Sequence, residues 1–496
     1  MGIRRLSRVG SPLTWARLAV AGSFAWLVPV WLSRPTAGGD TPWLLDGTDV
    51  LRDCLARDTL VACGYHSQPD AFGLTTAIGP WPPLQYVPDL VATSLGATTH
   101  PTRVRVLVVL GVAAIVASVI LAAVVLTRVR QDGWFWGFAL VVLSGPILAY
   151  ANTSWGEMLA SGLLVCFVAA ALLQPHPAIV AVAALAACLT KETAYPFVAA
   201  LGLLGLVLAR RRTGRPIRQH IAWGAVGMVC GVVVSSLFNV LRFGSIVNKN
   251  YLRDEFHTPG VLRKLEFAAG LLVSPNGGIF VFWVAAAVLV LTACVLPLAQ
   301  RSLRSRPDVD VRPALVLIAV SFTLIIGLAS WWTPFGWLAW GPRLSLPWIL
   351  PLVLIALVAY GEPLRELVRR LLAPTWRLLV VATALVALTL PHIGYLWQPQ
   401  EAIHRFFSPA DRHCNGSYLQ GSPRYYGCVR EQMWYRRPMV LDALPGLETT
   451  GGASTAIVVT LGLLGSLMLL REDARLPGSI RRPSSTNPAA TGRARR

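Results

Sequence analysis

The sequence predicts an all-α polytopic membrane protein of about twelve transmembrane helices, with long first and last loops on one face. The chain of 496 residues is 54% hydrophobic and 14% charged, with a mean hydropathy of +0.57. A soluble globular domain is far less apolar. Many windows of roughly 17–22 residues carry no charge, enough to span a hydrocarbon core. A β-barrel would read as short alternating segments instead. The net charge of +20 does not point to nucleic acid, because the arginines fall in short runs between the apolar stretches.

Apolar spans fall at about 14–33, 104–127, 134–150, 156–173, 177–190, 193–209, 221–241, 279–298, 313–330, 344–360, 378–396 and 455–470. The first is longer than a signal-peptide core and has no small-residue cleavage site after it, so it counts as a helix. Arg4, Arg5, Arg8 and Arg17 open it. Alternate connections then carry Arg128 and Arg130, the run Arg210–Arg218, the run Arg301–Arg312, the run Arg365–Arg377, and the tail from Arg471. Every basic cluster lands on one side, which the positive-inside rule assigns to the cytoplasm. The expected location is therefore the inner or plasma membrane, with both termini cytoplasmic.

Four units follow. Residues 1–396 form a transmembrane core with an outer loop at 34–103, and 397–454 form a second outer loop. The last helix is 455–470, and 471–496 is a polar, basic cytoplasmic tail expected to be disordered. Cys166, Cys188, Cys230 and Cys294 lie in apolar spans, whereas Cys54 and Cys63 share the first outer loop and Cys414 and Cys428 the last. Two pairs on an oxidising face suggest two short-range disulfides, with pairing between the loops as the alternative.

Residues able to do chemistry gather on the outer face. Asp40, Asp46 and Asp49 follow the first span in GDTPWLLDGTDVLRDCL. A carboxylate there is a candidate general base, and loop acids more often only solvate the loop. Lys191 and Glu192 occupy a turn with almost no loop, costly beside a membrane unless they pair or face a polar cavity. Lys191 suits a phosphate oxygen; an ordinary interfacial ion pair is the plainer account. Arg343 stands at a helix mouth after Gly341-Pro342 and can grip a phosphate bidentately. The tryptophans before it, Trp340 among them, read as an interfacial belt with Trp340 a candidate cavity wall. Ser274 and Asn276 break an apolar stretch in SPNGG, as a helix-start turn or as backbone approaching a phosphate. In GPWPPLQY, Trp81 and Tyr86 suit the interface or stacking on a sugar. Glu157 starts a span on the outer face, where a helix N-terminus favours it. No zinc-ligand spacing, phosphate-binding loop or dinucleotide fingerprint occurs.

In order along the chain, GDTPWLL, GPWPPLQY, LTKETA, SPNGGIF and WLAWGPRLSLPWILP resemble motifs of the GT-C glycosyltransferase superfamily, in the branch of the protein O-mannosyltransferases and the aminoarabinose transferases of lipid A. The resemblance spans about residues 14–360 and implies a GT-C-like fold. It implies a polyprenyl-phosphate-linked sugar as donor and a glycan, lipid or protein hydroxyl as acceptor. Asp40 matches the family's base, and Lys191 and Arg343 match its phosphate-binding positions. Asp46, Asp49, Glu157 and Glu192 become supporting acids, and Trp81, Tyr86, Ser274, Asn276 and Trp340 candidates for the donor or acceptor cavity. Many relatives carry a second acid directly after the first, where this chain has Thr41, so no metal bridge between adjacent acids and no cofactor is expected.

The competing reading is a twelve-helix transporter or flippase of lipid-linked or small polar substrates. Such carriers often show two related halves and charges at mid-membrane depth. This chain shows no internal repeat, and its charges sit at the rim.

Overall fold

The computed structural model describes residues 11–37, 41–57, 61–65, 76–79, 81–191, 195–214, 216–249, 257–303, 309–331, 335, 340–406 and 423–475. Asp40, Glu192 and Cys414 lie outside the described residues.

Among the described residues the α-helices run in order: α1 (Pro12–Ser33), α2 (Thr41–Leu55), α3 (Pro83–Ser94), α4 (His100–Arg128), α5 (Phe135–Leu143), α6 (Ile147–Tyr150), α7 (Glu157–Leu173), α8 (Pro177–Thr190), α9 (Tyr195–Thr213), α10 (Arg218–Phe243), α11 (Val261–Val273), α12 (Ile279–Phe282), α13 (Val284–Ser302), α14 (Arg312–Ser330), α15 (Leu346–Leu372), α16 (Thr375–Trp397), α17 (Pro399–Phe406), α18 (Pro423–Trp434), α19 (Val440–Ala443) and α20 (Thr450–Arg475). Among the described residues no strand forms beyond isolated bridges. Among the described residues eight helices are long and apolar enough to cross a membrane, and the helices over Asp132–Leu143, Glu157–Leu173 and Pro177–Thr190 are shorter apolar ones. The chain is a multi-pass membrane protein. Each of the twelve stretches expected to span carries helix among its described residues, but the predicted count of twelve exceeds the eight that meet the length and hydropathy required.

Two of the expected spans are broken, and Trp283 links the two breaks. At 144–146 the helix stops between α5 and α6. Pro146 has no N–H to continue the ladder, and Gly145 has no Cβ where one would lie 2.1 Å from the Trp283 indole. Trp283 itself separates α12 from α13, and its Nε1 donates to the Val141 carbonyl at 2.9 Å. The indole thus supplies a hydrogen bond near the break. α15 kinks at Tyr360, three residues before Pro363, where the backbone leaves the helical region.

α15 forms the centre of the bundle, with 89% of its apolar window buried, and α10 lies at the periphery, with 17% buried. α1 packs on α20, α4 on α7, and α8 on α10. The arginine-rich connections knit one end: Arg212 Nη1 donates to the Val129 carbonyl at 2.9 Å, Arg365 pairs with Asp473 at 3.2 Å, and Trp134 Nε1 donates to the Gly361 carbonyl at 2.8 Å.

At the opposite end Cys54 is bonded to Cys63. This ties the end of α2 to the 61–65 turn, whose Ala62 N–H donates to the Val240 carbonyl of α10 at 3.1 Å. Cys428 is disulfide-bonded as well. A Cys54→Ser/Cys63→Ser double variant is expected to lose about 2–3 kcal/mol of stability, by the chain-entropy model for so short a loop. A thermal midpoint of the double variant below that of the wild type under oxidising conditions, with a smaller further fall on reduction than the wild type shows, checks it, because the double variant keeps the Cys428 disulfide.

Candidate active site

The pocket lies at the end of the bundle away from the arginine runs. Thr41 and Leu44 of α2, Trp81 and Gln85 at the start of α3, Ser154, Trp155, Gly156 and Glu157 ahead of and in α7, and Arg343 ahead of α15 line it.

A buried carboxylate forms its electrostatic centre. Glu157 is 5% exposed; its Oε1 lies 3.2 Å from Arg343 Nε and 3.5 Å from Lys191 Nζ. Three charges withdrawn from solvent are tolerable only when mutually paired. Each is held by local structure. Glu157 occupies the first turn of α7, where the helix dipole favours an anion. Lys191 follows the last residue of α8 in an extended conformation, so its side chain leaves the helix axis toward Glu157. Arg343 follows Gly341, whose φ of +62° favours glycine and whose Cβ would lie 2.4 Å from the Phe282 ring. The Arg343 guanidinium stacks 4.2 Å above the Trp155 ring. Among the described residues the Trp155 indole N–H is buried without a hydrogen-bond partner.

The chain on both sides of Asp40 is stitched to the turn that leads into Glu157. Thr36 N–H donates to the Asn152 carbonyl at 2.8 Å, and Ser154 N–H donates to the Thr36 carbonyl at 3.1 Å. Thr41 Oγ1 and Ser154 Oγ share a hydrogen bond at 2.5 Å. The residue that replaces a second acid therefore contributes a hydroxyl joint.

The other candidate residues fall in different places. Trp81 lines the pocket. Tyr86 is fully buried beneath it and donates its hydroxyl to the Ile78 carbonyl at 2.5 Å. Asp49 accepts from Arg103 Nη1 at 2.9 Å, and Asp46 is exposed, 4.0 Å from His100; neither lines the pocket. Ser274 donates to the Met433 carbonyl at 2.7 Å. Asn276 donates to the Gln432 carbonyl at 2.7 Å and accepts from the Met439 N–H at 2.6 Å. These two residues thus fasten α18 and the chain after it onto the end of α11, away from the pocket. Trp340 is fully buried and donates to His392 Nδ1 at 2.9 Å, and Tyr150 donates to its carbonyl at 2.8 Å. It braces the turn before Arg343 and does not line the cavity. Among the described residues no group of three or more His, Cys, Asp or Glu is placed to hold a metal ion.

Sequence reasoning missed Trp155 and Gln85 as wall residues. Trp155 stands two residues before Glu157, which was singled out, and an aromatic beside that acid was the available signal. Gln85 carried none: its role comes from Gly156, whose missing Cβ leaves room for the Gln85 side chain, and from a 3.3 Å bond to the Thr190 carbonyl.

No protein-family model matches the chain, and no curated protein matches it. In three dimensions it is similar to ArnT from Cupriavidus metallidurans. Against the crystal structure of that protein in the apo state, the identity is 18% and the TM-score 0.46, over 92% of this chain and 78% of that one. Against the structure bound to undecaprenyl phosphate, the identity is 17% and the TM-score 0.40, over 93% and 79%.

Proposed function

We propose that this chain is an integral-membrane glycosyltransferase that moves a sugar from a polyprenyl-phosphate donor to an acceptor hydroxyl on the extracytoplasmic face. The observation that carries the reading is the meeting of Lys191 and Arg343, from distant parts of the sequence, on one buried carboxylate in a tryptophan-walled pocket. Two cations brought together on one described carboxylate suit a phosphate. An aromatic wall suits a sugar face, and the buried Trp155 N–H offers a further donor. The sidedness rests on the arginine runs, which gather at the other end of the bundle.

In the proposed reaction the Asp40 carboxylate takes the proton of the acceptor hydroxyl. The acceptor oxygen forms a bond to the anomeric carbon as the bond from that carbon to the phosphate oxygen breaks. The electron pair leaves with the polyprenyl phosphate, and a single displacement inverts the anomeric centre. Arg343 and Lys191 stabilise charge on the departing phosphate, the main electrostatic task of the site. Glu192 and the acids of α2 act through their neighbours.

Purified protein in proteoliposomes, given a panel of polyprenyl-phosphate sugars and acceptor glycans, lipids and proteins, tests the reading. Expected is acceptor-dependent release of polyprenyl phosphate with the sugar recovered on the acceptor. Movement of an intact donor across the bilayer without cleavage of the sugar–oxygen bond would replace this reading with a flippase.

A further inference from the structure

We propose that Glu157 is a positioning residue that also distinguishes the intact donor from the spent carrier by charge, an inference that rests on Lys191 and Arg343 holding the donor phosphate. The donor is a phosphodiester with one negative charge. Breaking the bond between sugar and oxygen leaves a phosphomonoester, whose second pKa is about 6 and whose charge approaches two near neutral pH. A site made of two cations alone would therefore hold the product more tightly than the donor and stall after one turnover.

Glu157 counters that preference. Its carboxylate is 3.2 Å from Arg343 Nε and 3.5 Å from Lys191 Nζ, so it lies next to any phosphate these cations bind. It has little room to withdraw, because its side chain is 5% exposed and its backbone begins α7. The repulsion it exerts grows in proportion to ligand charge, so it weakens a dianion about twice as much, in free energy, as a monoanion. The other described lining residues, Thr41, Leu44, Trp81, Gln85, Ser154, Trp155 and Gly156, are uncharged. Glu157 thus does two things: it gathers the cations when no ligand is bound, and it limits how strongly they retain the leaving group.

The test measures binding of a polyprenyl monophosphate and of its methyl phosphodiester to the full-length protein, well above the monoester's second pKa. Glu157→Gln is expected to tighten the monoester by about tenfold, or about 1.4 kcal/mol, and the diester by about threefold. Glu157→Asp keeps the charge and is expected to keep the wild-type ratio of the two affinities. Equal tightening of both ligands by Glu157→Gln, or weaker binding of both, would overturn the proposal and leave Glu157 a structural counter-ion. The wild type offers a readout independent of any variant: inhibition of turnover by the monoester more than about tenfold stronger than by the diester would also overturn it. Failure of both lipids to bind the wild type would instead remove the donor-site reading beneath it.

Discussion

Asp40→Asn is expected to lower turnover of a polyprenyl-phosphate sugar by about a thousandfold while leaving polyprenyl-phosphate binding within about twofold of wild type. The change removes one proton acceptor and almost no volume. General-base catalysis contributes roughly a hundred- to ten-thousandfold, and the middle of that range is the natural expectation for a hydroxyl nucleophile. Phosphate binding should persist because Lys191, Arg343 and Glu157 pair with one another, and among the described residues the chain around Asp40 meets the 152–154 turn through Arg34, Thr36 and Thr41. Single-turnover kinetics with a saturating donor, set beside direct lipid binding, separate the two quantities. Wild-type turnover in the variant would strip Asp40 of its role, and a parallel loss of binding would make it part of the phosphate site. Asp46→Asn should be nearly silent, since Asp46 is exposed outside the pocket.

Arg103→Met is expected to destabilise the protein by about 3–5 kcal/mol, the range found when one partner of a buried ion pair is removed. Arg103 is buried near the start of α4, and Asp89 on α3 is fully buried. Its Nε and Nη2 donate to the two Asp89 oxygens at 2.8 and 2.5 Å, Nη1 donates to Asp49 of α2, and Nη2 also reaches the Leu45 carbonyl at 2.8 Å. One guanidinium therefore joins α2, α3 and α4, and deleting it strands the Asp89 carboxylate in an apolar setting. Asp89→Asn in the Arg103→Met background should recover part of the loss, because it removes the stranded charge. Thermal midpoints of the two single variants and the double variant supply the cycle. If Arg103→Met melts with the wild type, the cluster carries no stability. Since α2 supplies Thr41 and Leu44 to the pocket, the destabilised protein should also lose activity at temperatures where its bulk remains folded.

These two expectations mark what was legible in the sequence. The helical stretches were legible because an apolar run of span length has few alternatives to a helix in lipid. The interruptions at Gly145 and Trp283 were not, since the first depends on the Trp283 indole from a distant segment and the second involves that same indole's bond back to Val141. Within the site, Lys191, Glu157 and Arg343 stood out because charges beside apolar spans are costly without partners. The three aspartates of the first outer loop looked alike in sequence. Asp49 was claimed by Arg103, a residue next to a span that reads as apolar with a basic edge, and only folding shows the two together. Ser274 and Asn276 were recognised as a break in an apolar run. That they fasten the 432–439 segment could not be read, because their partners are backbone groups some 160 positions away, and backbone groups carry no sequence signal.

The turn that aims Arg343 is sized by its neighbours. The Phe282 ring fills the space left by the missing side chain of Gly341, and the adjacent Trp283 does the same at Gly145. His392 Nε2 donates to the Phe282 carbonyl at 2.8 Å while its Nδ1 accepts from Trp340. Gly145, Gly341 and His392 thus form a calibrating frame outside the pocket. In a saturation mutagenesis screen scored on glycosyl transfer, this frame would appear as a band of intolerance to added bulk that a map of cavity-lining residues alone would leave out.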